Sequence, residues 1–348
     1  MRRVLVSAIG LLLVLCSTTV VADFEIYGKA HVSIDFSQNN DKTAGNEDSV
    51  ITLANNNSRI GLRGEEDLGG GLGFFWQAEN VIDIDNGGWG SPRNTFAGLK
   101  GDYGSVRVGK LDTPYKSSTN KLDVFSDSRA DYNAVIGNIQ GEKVFNNRAP
   151  NVLVYESPQS KAIRGAIAYI TNYEGDDNLT QTTSDDKKTG TSLSLSYSDG
   201  SIYLGAAHEI LKDLTGSADG HATKIGGSWD FQQGTKLGLV LEEADKGAGE
   251  ARTAIYLNAA HTTGNTILKA GLGMLDDVDS TTNSGATHLA LGIVRVLSRN
   301  TQVYGLYVAN NNDDNASYGL PEGDSIPATT GESVSSLSFG VVSKFSSL

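Results

Sequence analysis

Apolar and polar side chains alternate with a period of two along most of this chain. Residues 24–36 read FEIYGKAHVSIDF, in which every second position is apolar or small and most of the positions between are polar. Successive side chains of a β-strand point to opposite faces, so this pattern predicts a strand with one apolar and one polar face. The same pattern recurs to the C-terminus, and the predicted fold class is therefore all-β.

Segments of this kind predict about 16 strands. Their approximate bounds are 24–36, 49–65, 72–84, 93–101, 105–112, 146–157, 162–172, 189–198, 201–211, 221–232, 235–244, 251–262, 265–274, 286–297, 301–311 and 333–345. The connections alternate between tight polar turns, such as 102–104 and 199–200, and long loops, such as 37–48, 173–188 and 312–332. Short turns at one rim and long loops at the other are typical of a transmembrane antiparallel up-and-down β-barrel.

A soluble β-sandwich would also alternate apolar and polar positions. Against it, the polar faces are strongly charged, and the apolar faces carry Gly and Ala, as at 96–99 and 237–239. An even number of strands closes into a barrel without exposed edges, and aromatic residues fall near strand ends, as in interfacial girdles. Past residue 22 no apolar run approaches the ~18 to 20 residues that a spanning helix needs, so any membrane crossing is by strands.

The N-terminus predicts a secretory signal peptide. A basic pair at 2–3 precedes an apolar segment at 4–14, and small residues at 20–22 supply a cleavage point. The predicted organisation is a signal peptide at 1–22 followed by a single barrel domain at 23–348.

Composition narrows the choice of partners. The one cysteine, Cys16, lies inside the predicted signal peptide, and Leu15 before it disfavours a lipoprotein anchor, which expects a small residue there. The processed chain would then have no disulfide framework. A net charge of -13 at pH 7 disfavours nucleic acid as a partner.

Several stretches resemble the Gram-negative general diffusion porins, in the expected order along the chain. The run SRIGLRGEEDLGGGL at 58–72 resembles their second strand and first periplasmic turn. The runs RNTFAGLKG at 93–101 and GSVRVGKLDTPY at 104–115 resemble their fourth and fifth strands, 27–29 resembles the opening strand, and 297–301 resembles a late hairpin. The resemblance implies an outer-membrane barrel of about 16 strands, usually a homotrimer in lipid and lipopolysaccharide, through which small hydrophilic solutes and ions diffuse.

The connection at about 113–145 is too long for an ordinary loop. In the resembling family this third loop folds into the lumen and narrows it. Here it carries enough apolar side chains to pack against the wall, namely Leu122, Val124, Phe125, Val135, Ile136 and Ile139. The acidic residues between them, which the resemblance implies for the loop side of a constriction, are Asp123, Asp127 and Asp131.

Opposite this loop the resembling porins carry a ladder of basic side chains on the wall. The candidates whose strand register points inward are Lys29, Arg59, Arg63, Arg93 and Arg148. Opposed charges across a narrow waist order water and polar solutes, so the implied function is sieving by size and charge. The ladder favours anions in the throat and the acidic loops concentrate cations at the mouth, which leaves the ion preference open.

The sequence offers no pattern for catalysis and indicates a protein that is not an enzyme. The five histidines lie on separate predicted strands, and no Gly-x-Ser-x-Gly element accompanies them. No cofactor is predicted. The acidic runs 174–177, 276–279 and 313–314 could bind calcium through oxygen ligands, and solvated loops are the simpler interpretation of those runs.

Two other functions stay open, a substrate-selective channel and a closed barrel whose loops act as an adhesin. A selective channel would show a contiguous aromatic track on the polar face, and an adhesin would show apolar anchors in loops such as 312–332; neither stands out. The C-terminus departs from the resembling family, which commonly ends on an aromatic residue. Here Phe345 is followed by residues 346–348, so the signal that directs assembly is in question.

Overall fold

The computed structural model describes residues 23–40, 49–158, 162–174, 188–231, 233–322 and 328–347. These residues form a closed antiparallel β-barrel with a wall of 16 strands, which confirms the predicted fold class. The predicted signal peptide at 1–22, with Cys16, lies outside the described residues. No helix within these ranges is long and apolar enough to cross a membrane.

Most of the chain lies in strands that pair with their neighbours along the sequence. In chain order the strands are β1 (Asp23–Asn40), β2 (Ser49–Asn55), β3 (Arg59–Gly69), β4 (Leu72–Asp83), β5 (Gly88–Pro92), β6 (Thr95–Gly101), β7 (Gly104–Asp112), β8 (Asn138–Ile139), β9 (Glu142–Lys143), β10 (Arg148–Glu156), β11 (Ile163–Ile170), β12 (Gly190–Ser198), β13 (Ile202–Thr215), β14 (Ala218–Phe231), β15 (Thr235–Asp245), β16 (Ala251–Thr263), β17 (Thr266–Leu275), β18 (Ala286–Val296), β19 (Thr301–Asn312) and β20 (Ser333–Ser346). The helical elements are α1 (Pro114–Ser117) and two 3-10 turns at Asn120–Leu122 and Tyr132–Ala134. Strands β2 and β3 share one place in the wall, as do β5 and β6, and β8 pairs only with β9.

Strand β1 closes the barrel because it pairs with both ends of the sheet. On one side Gly28 lies opposite Phe345 of β20, and on the other Lys29 lies opposite Arg59 of β3. A Cβ at position 28 would stand 2.2 Å from Cζ of Phe345 and 2.5 Å from the carbonyl oxygen of Arg59. Glycine is therefore the residue that fits this seam.

The two faces of β1 are those that the alternation predicts. Ile34 and Phe36 are 48% and 43% exposed on the outer face, whereas Lys29 and Asp35 are 8% and 0% exposed on the inner face. Large apolar side chains are exposed in the same way on the other wall strands. Because so large an apolar surface is stable only in an apolar medium, the outer face points to a lipid environment.

The rim that carries Asp23 and Ser346 also carries tight turns such as those between β3 and β4 and between β6 and β7, and we call it the short-turn rim. At the opposite rim some strands are longer than predicted. Strands β13 and β14 extend to a tight turn at Gly216 and Ser217, where the sequence had indicated a loop over 212–220. Gly216 has a φ of 62°. Tight hairpin turns need such a positive φ, which glycine adopts more easily than other residues.

The connection from β7 to β10, residues 113–147, folds into the barrel and is called the inner loop below. Its apolar side chains pack with inward-facing wall residues in three clusters of described residues. The fully buried members from the loop include Tyr115, Leu122, Val135, Ile136, Ile139 and Phe145. The apolar core of this protein therefore lies between the inner loop and the wall, and it fixes where the tip of the loop stands.

Ser347 hydrogen-bonds across the seam, so deletion of residues 346–348 is expected to weaken closure. The Ser347 N–H donates to the Ile26 carbonyl oxygen at 2.9 Å, and the Ile26 N–H donates to Ser347 Oγ at 3.0 Å. Each such bond contributes about 0.5 to 1.5 kcal/mol net. We expect deletion of 346–348 to lower the temperature at which the folded barrel loses its compact mobility in SDS gels, and to reduce outer-membrane insertion.

Deletion of Leu348 alone is the matched control, because it leaves both of these hydrogen bonds in place. Equal transition temperatures and equal insertion for the two deletions would show that Ser346 and Ser347 contribute nothing to closure.

Candidate pore constriction

The tip of the inner loop is shaped by hydrogen bonds within the loop. Asp127 has a φ of 57°, and its N–H donates to Oδ2 of Asp131 at 2.9 Å. Oδ1 of Asp131 accepts the N–H of Asn133 at 2.9 Å and so caps the 3-10 turn Tyr132–Ala134. These bonds turn the Asp127 carboxylate towards β1 and β3.

Asp127 contacts two cations of the predicted ladder. Its Oδ2 lies 2.6 Å from Nζ of Lys29 and 3.0 Å from Nη1 of Arg59. Burial raises the pKa of the Asp127 carboxyl, but the Arg59 guanidinium and the Lys29 ammonium lower it more, so the pKa lies below its usual range. The carboxylate is therefore charged at neutral pH and joins the tip of the loop to the wall.

Glu79 on β4 is a second carboxylate at this place, and it is not among the site residues predicted from the sequence. Its Oε1 lies 2.7 Å from Nε of Arg93, and its Oε2 lies 3.9 Å from Nε of Arg59. The Tyr27 hydroxyl donates to Oε2 at 3.0 Å. Glu79 stands on the inward register of the predicted strand 72–84, so the alternation alone could have indicated an inward carboxylate there.

The predicted cations form a row that crosses neighbouring strands. Lys29 on β1 lies opposite Arg59 on β3. The backbone N–H of Arg93 donates to the Glu79 carbonyl oxygen on β4 at 2.7 Å. Arg148 on β10 lies opposite Asp112 on β7. We call Lys29, Arg59, Arg93 and Arg148 the basic row.

Arg148 ends the basic row in a small network of its own. Its Nη2 lies 3.1 Å from Oδ1 of Asp112, and its Nε donates to Oδ1 of Asn94 at 2.6 Å. Lys116 of α1 also lies 3.1 Å from Oδ1 of Asp112. The start of the inner loop is thus bound to the same charged stretch of wall as its tip.

Three other predicted site residues, Arg63, Asp123 and Asp131, stand elsewhere, and Asp131 accepts backbone N–H groups within the loop. Arg63 lies near the short-turn rim, where its Nε is 2.5 Å from Oε2 of Glu25 and its side chain is 55% exposed. Asp123 is turned into the loop and accepts the N–H of Phe125 at 2.9 Å. Burial and the neighbouring Asp131 carboxylate raise the pKa of Asp123 well above its usual range. Within the described residues, Asp127 is the member of the predicted acidic trio that pairs with the basic row.

The loop between β19 and β20, the strands next to β1 across the seam, also reaches this place. The Glu322 side chain accepts a hydrogen bond from Nδ2 of Asn57, whose Oδ1 accepts one from Nη1 of Arg93 at 3.0 Å. Burial, with the Asp131 and Asp127 carboxylates, raises the pKa of Glu322 to about 7. The sequence carried no local signal for this contact, because Glu322 and Asn57 are far apart along the chain.

A buried ion pair fixes the tip of the inner loop to β1. Nε of Arg129 lies 3.4 Å from Oδ2 of Asp35, and both side chains are 0% exposed. Arg129 also donates to the Glu322 carbonyl oxygen and, at 3.4 Å, to Oγ of Ser37. Because Arg129 lies two residues from Asp127, this pair sets the position of the carboxylate that meets the basic row.

The histidines of the barrel are engaged on separate strands. Nε2 of His31 lies 2.9 Å from the Tyr304 hydroxyl, and Nδ1 of His288 lies 2.7 Å from Oδ1 of Asn310. In the loop that holds 276–279, the Asp277 carboxylate accepts backbone N–H groups of residues 283–285. Calcium at the acidic loops stays a prediction, and residues 175–177 of one such run lie outside the described residues.

The comparisons with known proteins agree with the barrel fold of the structure. The profile of the Gram-negative porin family matches residues 8–315. The chain is similar to the major outer membrane protein P.IB of Neisseria meningitidis, with 33% identity over 172 residues, and to that of Neisseria gonorrhoeae, with 30% identity over 168 residues. These alignments cover 48% and 47% of this chain and 50% and 47% of the relatives. The chain thus spans about half the length of these curated relatives.

Among solved structures, the chain is similar to the anion-selective porin from Comamonas acidovorans. The TM-score is 0.79 at 24% identity, with 93% of this chain and 100% of the other covered. OmpT of Vibrio cholerae in its trimer form is similar with a TM-score of 0.64 at 15% identity, covering 93% of this chain and 99% of that chain. At these identities the likeness establishes the shared barrel fold.

Proposed function

Because this chain belongs to the Gram-negative porin family, we propose that it is a general porin, a water-filled channel for the passive diffusion of small hydrophilic solutes and ions. Membership of the family makes it a multi-pass protein of the outer membrane, and the family consists of channel proteins. In the finer proposal, solutes are sieved by size and charge where the inner loop meets the basic row, and no covalent chemistry takes place. Residues 1–22 would direct its export.

The observation that carries this proposal is the contact of Asp127 with Lys29 and Arg59. It joins an inward-folded loop to a charged strip of wall, so fixed charges line the narrow part of the lumen. Their side chains keep 9% to 21% of their surface exposed, enough to act on passing solutes. A lumen lined in this way orders water, and a large apolar solute displaces that water without replacing its interactions.

The charge balance at the constriction favours anions in the throat. The cations of the basic row, with Lys116, outnumber Asp127, Glu79 and Asp112, the carboxylates paired with them. The acidic residues of the outer loops oppose this preference at low salt, where screening is weak. The similar Comamonas acidovorans porin is described as anion-selective, which supports the same sign here.

The apolar outer face fits lipid and lipopolysaccharide as its surroundings. A homotrimer is the assembly that we propose, because a similar barrel, OmpT of Vibrio cholerae, is described in a trimer form. Chemical cross-linking in outer-membrane vesicles, read on gels without heating, would show a three-chain species if this is right.

Liposome swelling with uncharged sugars of increasing size tests the sieving itself. A general porin admits small sugars at rates that fall steadily with their size and do not saturate with concentration. Saturating uptake of one sugar would favour the substrate-selective channel, and no swelling with any sugar would favour a closed barrel.

Charge reversal in the basic row is expected to shift selectivity towards cations. Arg59→Glu changes the fixed charge at the waist by two units, and a unit charge at 4 Å in water is worth about 1 kcal/mol, or about a fivefold change in a permeability ratio. The reversal potential of the channel in a potassium chloride gradient measures this directly. We expect the chloride over potassium permeability ratio to fall at least fivefold.

Arg63→Glu is the matched control, since it lies on the same strand and face four residues closer to the short-turn rim. Its reversal potential should move much less than that of Arg59→Glu. Equal shifts for the two variants would remove Arg59 from the selective part of the lumen.

A further inference from the structure

A cavity of about 320 Å³ lies beneath the tip of the inner loop. Phe125 and Asp127 of the loop line it on one side, and strands β1, β3, β17, β18, β19 and β20 supply the rest of its lining. Lys269 and Lys344 lie close to the short-turn rim, because β17 begins at Thr266 and β20 ends at Ser346. In a porin this rim is the periplasmic one, so the cavity, called the lower pocket below, lies on the periplasmic side of the loop tip.

The lower pocket carries more positive than negative charge. The charged side chains that line it are Lys29, Arg59, Lys269, Lys344 and Asp127. Asp127 offers one carboxylate, and both Lys29 and Arg59 contact the same oxygen of it. Among the carboxylates that the structure describes, none lies within 4.0 Å of the amino group of Lys269 or Lys344.

The positions of the lysines make this excess of positive charge destabilising unless an anion binds there. Lys29 and Lys344 stand directly opposite each other on β1 and β20, and like charges in that relation destabilise a sheet. Nζ of Lys269 lies 5.8 Å from the centre of the Phe125 ring, a weak contact that does not neutralise it. Asp123, the acid behind Phe125, also acts on Lys269, but burial and Asp131 raise the pKa of Asp123 more than Lys269 lowers it.

Polar groups at the back of the lower pocket add hydrogen-bonding capacity. The buried His31 ring donates to or accepts from the Tyr304 hydroxyl through Nε2, while its Nδ1 has no hydrogen-bond partner among the described residues. Gln302 lines the same cavity. A ligand with several oxygen atoms could meet both the ammonium groups and these polar groups, whereas a spherical chloride ion could satisfy few of them.

We propose that the lower pocket binds a small multivalent oxyanion of the phosphate or phosphomonoester class. The charge excess selects for more than one negative charge, and the cavity volume is at the lower end of the range for small-molecule sites, which suits an ion of this size. The inference rests on the proposed function, because the ligand reaches the pocket through an aqueous lumen. Bound there, the anion partly fills the lumen below the waist and slows the passage of other anions.

Channel block by inorganic phosphate tests this proposal. In planar bilayers, phosphate at constant ionic strength should reduce the chloride current with saturation, and more strongly from the periplasmic side. Removing one lysine that donates to the ion should raise the half-blocking concentration about tenfold. Lys344→Gln and Lys269→Gln are the test variants; the Lys344 side chain is exposed, so its replacement leaves the wall intact.

Lys212→Gln is the matched control, because it removes the same charge from an exposed side chain far from the pocket, and its half-blocking concentration should equal that of the unmodified channel. Calorimetry of the detergent-solubilised protein with phosphate supplies a readout that does not depend on current. If the channel conducts but phosphate affects its current no more than chloride does, the proposed anion site in the lower pocket is overturned. The proposed porin function is then unaffected. Block that is the same in all three variants also overturns the anion site, whereas a barrel without conductance contradicts the proposed function itself.

Discussion

Replacing Asp127 with asparagine is expected to raise the chloride over potassium permeability ratio about fivefold. The change removes the carboxylate that offsets both Lys29 and Arg59, at 2.6 and 3.0 Å, and leaves their charges facing the lumen. One unit of charge at this range is worth about 1 kcal/mol in water and more where the lumen is narrow. The asparagine side chain keeps the size of the aspartate, so the loop tip retains its shape. The reversal potential in a salt gradient reads the ratio.

Asp123→Asn gives a matched control within the same loop. Asp123 is half-buried, its oxygen accepts the Phe125 N–H, and its raised pKa favours a neutral side chain. We therefore expect little change in selectivity from this variant. A shift as large as that of Asp127→Asn would mean that the loop contributes a diffuse field and that the contact with the basic row has no special weight.

Replacing Arg129 with methionine is expected to loosen the tip of the inner loop. The change leaves the Asp35 carboxylate, which is 0% exposed, without its cation, and breaking one side of a buried ion pair typically costs about 3 to 5 kcal/mol. It also removes the bonds from Arg129 to the Glu322 carbonyl oxygen and to Ser37. Single-channel records should then show frequent transitions between conductance levels, where the unmodified channel is steady.

The double variant Asp35→Asn with Arg129→Met separates lost charge pairing from lost packing. It removes both charges, so the free energy of unfolding should recover by several kcal/mol relative to Arg129→Met alone. Thermal unfolding in detergent measures the stability of both. If the single and double variants unfold at the same temperature, the ion pair is not what holds the tip.

The barrel was predictable from the sequence because the information that specifies it is local. Alternation in the stretch from Phe24 to Phe36 indicates a strand and assigns each side chain to a face, and tight turns such as Asp102-Tyr103 connect neighbours in order. Alternation does not indicate, however, how far along the barrel axis a side chain lies. Arg59 and Arg63 share a face, yet one meets Asp127 and the other meets Glu25 near the short-turn rim.

The inside of the constriction depends on contacts that no local pattern contains. The positive φ of Asp127 and its hydrogen bond to Asp131 decide that this carboxylate, and not that of Asp123, meets the wall. Arg129 finds Asp35 only because the inner loop folds back across the lumen. A resemblance to porins could indicate that such a loop exists, but its own sequence diverges, so the choice among its acids needed the structure.

Single-channel recording of the refolded mature protein in a planar bilayer, with a potassium chloride gradient, tests the central claim most directly. We predict large, long-lived conductance steps, grouped in threes if the trimer forms. At high salt the reversal potential should have the sign of a channel that is more permeable to chloride than to potassium. Absence of such steps would contradict the porin, and steps with a potassium preference at high salt would contradict the assignment of the basic row to the selective waist.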